Sequence, residues 1–379
     1  MFGSLNLKPE VFGLDISDLS LKIVKLKKIG SSFGLVSFGE VDIKPGIIKG
    51  GEIKDEKELA EAIKGALKSV EGEKIKTRYI VASLPEEKAY LQIIQVPKMA
   101  ADDLKSAIVF EAENYIPLPI DQVYLDYEVI SPIVDHLNHF DVLLAALPRK
   151  TVDPYLNSFK SAGLIPKALE IESLAIGRAL IKNGLAQRPT LLIDLGATRT
   201  SFIVYAGRSI RFTSSIPVSG THFTQIIAKA LEIKHEEAEE LKLKYGLEEK
   251  IKLKLETKEG GQELEKERGK IFESLVPALV DLVQQIKKCT DYYQTHASHL
   301  HLLPGDNEIS KILLCGGGAN LKGLPELLSL ELKIPVEIGN SRINILQEDD
   351  DKRAPYLPPD KSLGYTTAFG LAMRGIKEK

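Results

Sequence analysis

The period of the apolar positions changes repeatedly along the chain, and each change marks an element. From 11 to 44 the apolar residues come in short blocks, VFGLDI, LKIVKL and FGLVSFGEV, parted by Ser, Asp and Gly. Such blocks predict a three-stranded antiparallel meander. Asp55 then stands as an N-cap before Leu59, Ala62, Ile63, Ala66, Leu67 and Val70, whose i, i+3, i+4, i+7 spacing predicts a helix. The strand RYIVASLP follows. Three strands, a crossover helix and a further strand make the order of a ribonuclease H-like half-fold.

Between 85 and 162 the pattern reads strand AYLQIIQV, helix 100–114, strand VYLDYEVI, strand HFDVLLAAL and helix 151–162. This β-α-β-β-α order suffices for an inserted subdomain, with Pro117 and Pro119 closing its first helix. Strand PKALEI and helix 173–182 then return to the first unit. After the break NGLAQRPT, the segment LLIDLGATRTSFIVYAGRSIRF gives strand, turn, strand, turn, strand once more. Placing Asp194 on Asp15 aligns Ile193 with Leu14, Leu195 with Ile16, Phe202 with Ile23 and Ile203 with Val24, which predicts a diverged repeat opening a second lobe. One long helical stretch is expected over 220–245 and another over 271–298, joined by the mixed-charge segment EEKIKLKLETKEGGQELEKERGK, a solvated connection. Strand KILLC, a glycine turn, helix 322–330, strand PVEI, the loop QEDDDKRAPYLPPDKS and helix 363–374 complete the chain. The expected division is 1–84 plus 163–189, the insert 85–162, 190–218 plus 304–379, and a helical subdomain 219–303.

Composition narrows the chemistry. Of 379 residues 44% are hydrophobic, and 50 basic side chains nearly balance 53 acidic ones. A globular chain with a net charge of −3 has no general field to draw nucleic acid or anionic lipid. Cys289 and Cys315 stand alone, outside any CxxC or His/Cys cluster, so neither a disulfide framework nor a zinc site is expected, only two buried, reduced thiols. No run approaches the roughly 20 apolar residues of a spanning helix, and the start MFGSLNLKPE is not a secretory signal. A cytoplasmic protein is expected, reaching a membrane only through partners.

Three turns have the composition to hold a nucleotide. Asp15-Ile16-Ser17-Asp18-Leu19-Ser20 with Lys22, and Asp194-Leu195-Gly196-Ala197-Thr198-Arg199-Thr200, each place an Asp at a strand end before a tight turn. There it can hold a hydrated divalent cation while small residues let backbone N–H groups approach phosphate. An Asp before a hairpin is equally good turn chemistry. The third is the strand that runs into Gly316, Gly317, Gly318 and Asn320; such glycines suit either a flat ring or phosphate, or close helix–strand packing.

In this order the segments resemble the phosphate-1, phosphate-2 and adenosine segments of the actin, Hsp70 and sugar kinase superfamily. The resemblance implies an α/β protein of the actin-like ATPase fold, two ribonuclease H-like lobes with an FtsA-type inserted β-α-β-β-α subdomain. It implies ATP with Mg2+ between the lobes: Asp15 and Asp194 toward the metal; Ser17, Ser20, Lys22, Gly196, Ala197, Thr198, Gly220 and the three glycines around the nucleotide. Glu239 and Lys242 of AEELKLKYG stand at ribose and adenine. Glu172 of EIESLAIGRAL, with Asp194, would orient water in any slow hydrolysis.

More specifically, GLDISDLSLKIVKL, LPEEKAYLQIIQVPKM, AIVFEAENYIPLPIDQVYLDYEVI and DVLLAALPRKTVDPYLNSFKSAGLIPKALEIES are similar to the PilM family of type IV pilus assembly proteins. That resemblance implies a groove between the insert and the first lobe taking the N-terminal cytoplasmic peptide of PilN, further inner-membrane pilus assembly partners, and a place at the cytoplasmic face of the inner membrane. Tyr115, Ile116, Leu118 and Tyr124 are candidates for that groove or for the core. An FtsA-like filament protein and a small-molecule kinase are the alternatives on the same fold. The sequence departs from the family at Ser17, where glycine is usual, at Ser219, the first of a usual Gly-Gly, and at Asp18. The Asp18 carboxylate would repel a phosphate and weaken nucleotide binding unless Mg2+ or Lys22 offsets it.

Overall fold

The computed structural model describes residues 9–30, 32–131, 138–247, 262–296, 307–346 and 355–377. The meander forms as expected from β1 (Phe12–Ile16), β2 (Ser20–Ile29) and β3 (Ser32–Asp42). Asp55 caps α1 (Glu56–Lys68), accepting from the amides of Lys57 and Glu58 at 3.0 Å. Strand β4 (Tyr79–Leu84) pairs in parallel with β1. The insert follows as β5 (Tyr90–Pro97), α2 (Ala101–Ala112), β6 (Val123–Val129) and β7 (His139–Pro148), a sheet of order β5-β7-β6. Its own core gathers Ile94, Val96, Ile108, Ile116, Val142 and Leu144.

The apolar pattern groups helix α3 (Arg149–Ser161) with the insert, yet Val152, Tyr155 and Phe159 are buried in one cluster with Leu59 and Ile63 of α1 and Leu14 of β1. The apolar face of a helix demands burial; it does not name the partner. β8 (Ile165–Ile171) and α4 (Glu172–Leu180) finish the first lobe, whose sheet runs β8-β4-β1-β2-β3 with a two-residue strand at 71–72 on the edge.

The second lobe repeats the plan with β9 (Ala186–Leu195), β10 (Thr200–Gly207) and β11 (Ser209–Ile216). The expected helix over 220–245 is two: α5 (Gly220–Leu231) and α6 (His235–Tyr245). Glu232 takes a left-handed conformation, φ 58°, and the amide of Ile233 bonds back to the Ala228 carbonyl at 3.0 Å, closing α5. α7 (Gln262–His296) begins earlier than the apolar period suggested; most of the charged connection before it lies outside the described residues. Then come β12 (Lys311–Cys315), α8 (Leu324–Leu332), β13 (Val336–Ile338) and α9 (Thr366–Lys377). The second sheet runs β13-β12-β9-β10-β11, the same order as the first. In each, the Asp-bearing strand sits centrally, antiparallel to the next strand and parallel to the one before the glycine turn or insert.

Chain order puts the last helix with the second lobe. In the structure, Ala368, Phe369, Ala372 and Met373 of α9 are buried against Val24, Leu26 and Phe38 of the first sheet. Gly13 makes this possible: a methyl there would come within 2.7 Å of the Ala372 nitrogen.

Candidate functional site

Asp15 lies near the end of β1, buried, and its side chain is fixed from below. The Ser83 hydroxyl donates to Asp15 Oδ1 at 3.1 Å while accepting the Ile16 amide at 2.8 Å. Lys22 is its cross-strand neighbour and also donates to Ser20 Oγ at 2.6 Å and pairs with Glu40 at 3.0 Å. The Ser17 hydroxyl folds back into the turn, accepting the Ser20 amide at 3.1 Å, so the residue that replaces glycine closes the hairpin. Asp18 behaves otherwise than expected. Its carboxylate accepts the amides of Gly50 at 2.8 Å and Gly51 at 2.9 Å and faces Arg199 at 3.5 Å. It does not line the cavity between the lobes, so its charge is spent on the chain's own donors and not on a phosphate.

On the second lobe Asp194 is the penultimate residue of β9, beside Cys315 of β12, whose thiol stands 3.8 Å from Asp194 Oδ1. Both cysteines are buried and free, as expected. The following turn is closed by the Gly196 amide on the Arg199 carbonyl at 2.9 Å. It is sewn to the start of α5 by Gly220 N to Gly196 O at 2.9 Å and Thr221 N to Ala197 O at 3.1 Å. Ser219, the other departure from glycine, caps that helix by accepting the His222 amide at 3.2 Å.

The three glycines divide their work. Gly316 has φ 81°, and a methyl there would lie 2.6 Å from the Leu195 carbonyl oxygen; a methyl on Gly318 would overlap the Leu195 side chain. Gly317 faces open space. Close packing therefore requires the outer two, and the middle one is left bare toward the cavity. Asn320 donates to the Asp360 carbonyl at 3.0 Å.

On α6, Lys242 is buried and donates to Glu239 at 2.6 Å, to Thr224 at 2.8 Å and to the Gly220 carbonyl at 3.1 Å. Thr224 also donates to Glu239. The i, i+3 pair thus closes one end of the cleft as a charged clasp.

These segments converge on one cavity of about 750 Å³ between the lobes. Asp15, Ser17, Ser20, Lys22, Glu172, Asp194, Gly196, Ala197, Gly220, Glu239, Lys242, Gly316, Gly317, Gly318 and Asn320 all line it; Thr198 does not. Sequence reasoning missed Thr221, Phe223, His235, Leu243, Gly364, Thr366 and Thr367, which also line it. The last three come from GYTTAFG, read only as a helix start, although adjacent hydroxyls at a helix N-terminus were a usable signal.

The cavity wall carries an excess of acid: Asp15, Glu40, Asp42, Glu172, Asp194, Glu239 and Asp360 against Lys22, Lys242 and Lys361. Burial raises the pKa of Asp15, with Lys22 opposing. Burial, then the charges of Asp15 and Asp194, pushes Glu172 well above the carboxylate range. Asp194 is pushed up to about 6, by burial first and by Asp15 second. A site this acidic repels a bare polyphosphate and suits one that arrives with a divalent cation. Among the described residues no three His, Cys, Asp or Glu side chains are grouped to hold a metal alone. Such a cation would therefore draw on phosphate oxygens and water besides Asp15 and Asp194, as Mg2+ ordinarily does.

Two sheets of one topology, facing across a cleft with an Asp-bearing hairpin from each, define the actin-like ATPase fold, and that fold implies nucleotide binding. MreB5 of Spiroplasma citri bound to AMPPNP shares the fold, at 13% identity and TM-score 0.53 over 97% of both chains. Cell division protein FtsA of Streptococcus pneumoniae is 24% identical over 358 residues, 86% of this chain and 76% of that protein. A structure described as the PilM-PilN type IV pilus biogenesis complex is 26% identical, with TM-score 0.77 over 98% of this chain and 100% of that one. Residues 13–376 match the family described as Type IV pilus assembly protein PilM, and the chain belongs to that family.

Proposed function

We propose that the chain binds ATP with Mg2+ in the cleft and holds the N-terminal cytoplasmic segment of PilN, as an assembly factor on the cytoplasmic side of the type IV pilus inner-membrane platform. The observation that carries this reading is the likeness to the PilM-PilN complex along 98% of the chain, insert included. In this reading Asp15 and Asp194 face the cation, Ser17, Ser20, Lys22, Gly196, Ala197 and Gly317 surround the phosphates, and Glu239 with Lys242 meets the ribose and base. Bound Mg2+ would neutralise the phosphates against the acidic wall. Glu172, whose pKa is raised by burial and by the charges of Asp15 and Asp194, would with Asp194 orient an attacking water, and any hydrolysis is slow.

The peptide surface belongs to the insert, which we take functionally as 90–148 with α3 left to the first lobe. Phe110 is 70% exposed and Tyr115 49%, beside a shallow cavity walled by Glu113, Ile116, Leu118 and Asp121. Tyr124 is held ready by Arg149, 4.2 Å over its ring, and by Asp153, to which its hydroxyl donates at 3.0 Å. Ile116 is buried in the insert core and shapes the floor. Among the described residues no helix is long and apolar enough to cross a membrane, so association through PilN and other inner-membrane pilus proteins fits. Calorimetric titration of a peptide copied from the cytoplasmic start of the PilN of the same genome, with and without Mg-ATP, tests the reading. Micromolar binding is expected, and no binding in either condition removes it.

A further inference from the structure

The insert is joined by chain to the first lobe, yet two arginines of the second lobe also hold it. Arg211 on β11 meets Asp141 on β7 at 2.8 Å, with side chains 4% and 8% exposed, and its Nε donates to the Ala206 carbonyl at 3.3 Å. His139 stands 3.4 Å from the other Asp141 oxygen. The second contact lies at the root of the insert, in the turn 86–88 that leads from β4 into β5. There Glu87 pairs with Arg199, which also faces Asp18 of the first-lobe hairpin. Arg199 belongs to the turn whose Gly196 and Ala197 line the cavity, and the neighbouring Glu86 donates its amide to Glu172 of the cavity wall at 3.3 Å.

The Arg211–Asp141 pair is buried and the Arg199–Glu87 pair half-buried, and such pairs resist separation because parting them leaves charge poorly compensated away from water. A change in the angle between the lobes must therefore either break both contacts or turn the insert about its root. We propose that Arg211 and Arg199 gear the insert to the second lobe, so that filling the cleft swings the insert and its exposed aromatic face relative to the first lobe. The proposal rests on the reading that the cleft takes a nucleotide. The gear has two teeth set apart, one at the root and one on the central strand β7, where Asp141 lies opposite Gln95 toward the end of β5 away from the root, so the insert follows the second lobe as a body instead of bending at a single point.

Distances between spin labels in the full chain test this. Labels at Glu61→Cys on α1, Lys105→Cys on α2 and Lys287→Cys on α7 report the first lobe, the insert and the second lobe, while the two native thiols are buried. With Mg-AMPPNP, the insert-to-second-lobe distance should stay fixed and the insert-to-first-lobe distance should shift by several ångströms. In the paired substitution Arg211→Met with Asp141→Leu, which removes both charges together, the shift should pass to the insert-to-second-lobe distance, with nucleotide affinity unchanged within about twofold. Arg199→Lys, a milder change, should reduce the shift and broaden the distribution. An insert that keeps its distance from the first lobe in the wild type while nucleotide binds overturns the gearing and spares the nucleotide reading. Failure of calorimetry to detect nucleotide binding overturns both.

Discussion

Replacing Asp194 by Asn should stabilise the empty protein, and by an amount that depends on pH in a defined way. Asp194 has its pKa raised from 3.8 to about 6 by burial and by Asp15. The native chain therefore holds the Asp194 proton more tightly than the unfolded chain, and stability is lost as pH rises from the lower value through the higher. A shift of about 2 units is worth about 3 kcal/mol once both states are ionised. The Asn side chain carries no charge and escapes that loss. The variant should gain about 3 kcal/mol over the wild type at pH 7.5 and only about 1 kcal/mol at pH 4.5. With an unfolding entropy near 2.1 cal/mol/K per residue, the larger figure is about 4 °C in Tm. Calorimetric melts in chelator at several pH values read this directly. Mg-ATP should reverse the order, raising the wild-type Tm by binding to the native state and the variant's much less. An advantage that is absent at pH 7.5, or that does not shrink on acidification, would refute the account of the buried acid cluster.

Gly318→Ala should cost about 1–3 kcal/mol by forcing a methyl into Leu195, whereas Gly317→Ala should leave denaturation within about 0.5 kcal/mol and weaken nucleotide binding in calorimetry. Asp18→Asn, which would strengthen nucleotide binding if the carboxylate faced phosphate, should instead leave affinity no higher and cost about 1–3 kcal/mol in urea denaturation, because Gly50 and Gly51 donate to different carboxylate oxygens and the amide sets an NH2 donor in the place of one of them. Phe110→Ser should leave the melting curve unchanged and weaken the PilN peptide about tenfold or more in the same titration, as loss of an exposed aromatic anchor does.

The parts of the fold legible in the sequence were those dictated by local pattern. Asp15 and Asp194 stand at equivalent strand ends because the same meander was written twice, and the two sheets share one strand order. The run of three glycines pointed to a close approach, although not that the outer two are needed against Leu195 and only Gly317 is bare. What escaped was long-range. A stripe of apolar residues announced α3 and α9 as buried helices, but the stripe is the same whichever sheet it covers. The break at Glu232 left no glycine to mark it, since a side-chain-bearing residue takes the left-handed cap. Asp18 misled for a related reason: a carboxylate in a hairpin composed to hold phosphate reads the same whether its acceptors serve a ligand or the Gly50 and Gly51 amides on another turn.

The seating of α9 on the first sheet sets an order of events for the newborn chain. Residues 12–42, made before the second lobe, form a sheet face whose cover is encoded by residues 366–377. Until residues 366–377 are made that face lacks its main cover, so the first lobe closes only after the second lobe's sheet has been synthesised. A nascent chain stalled between the lobes would carry an open apolar sheet, and release of the two halves as separate polypeptides would require the second to supply the missing helix in trans.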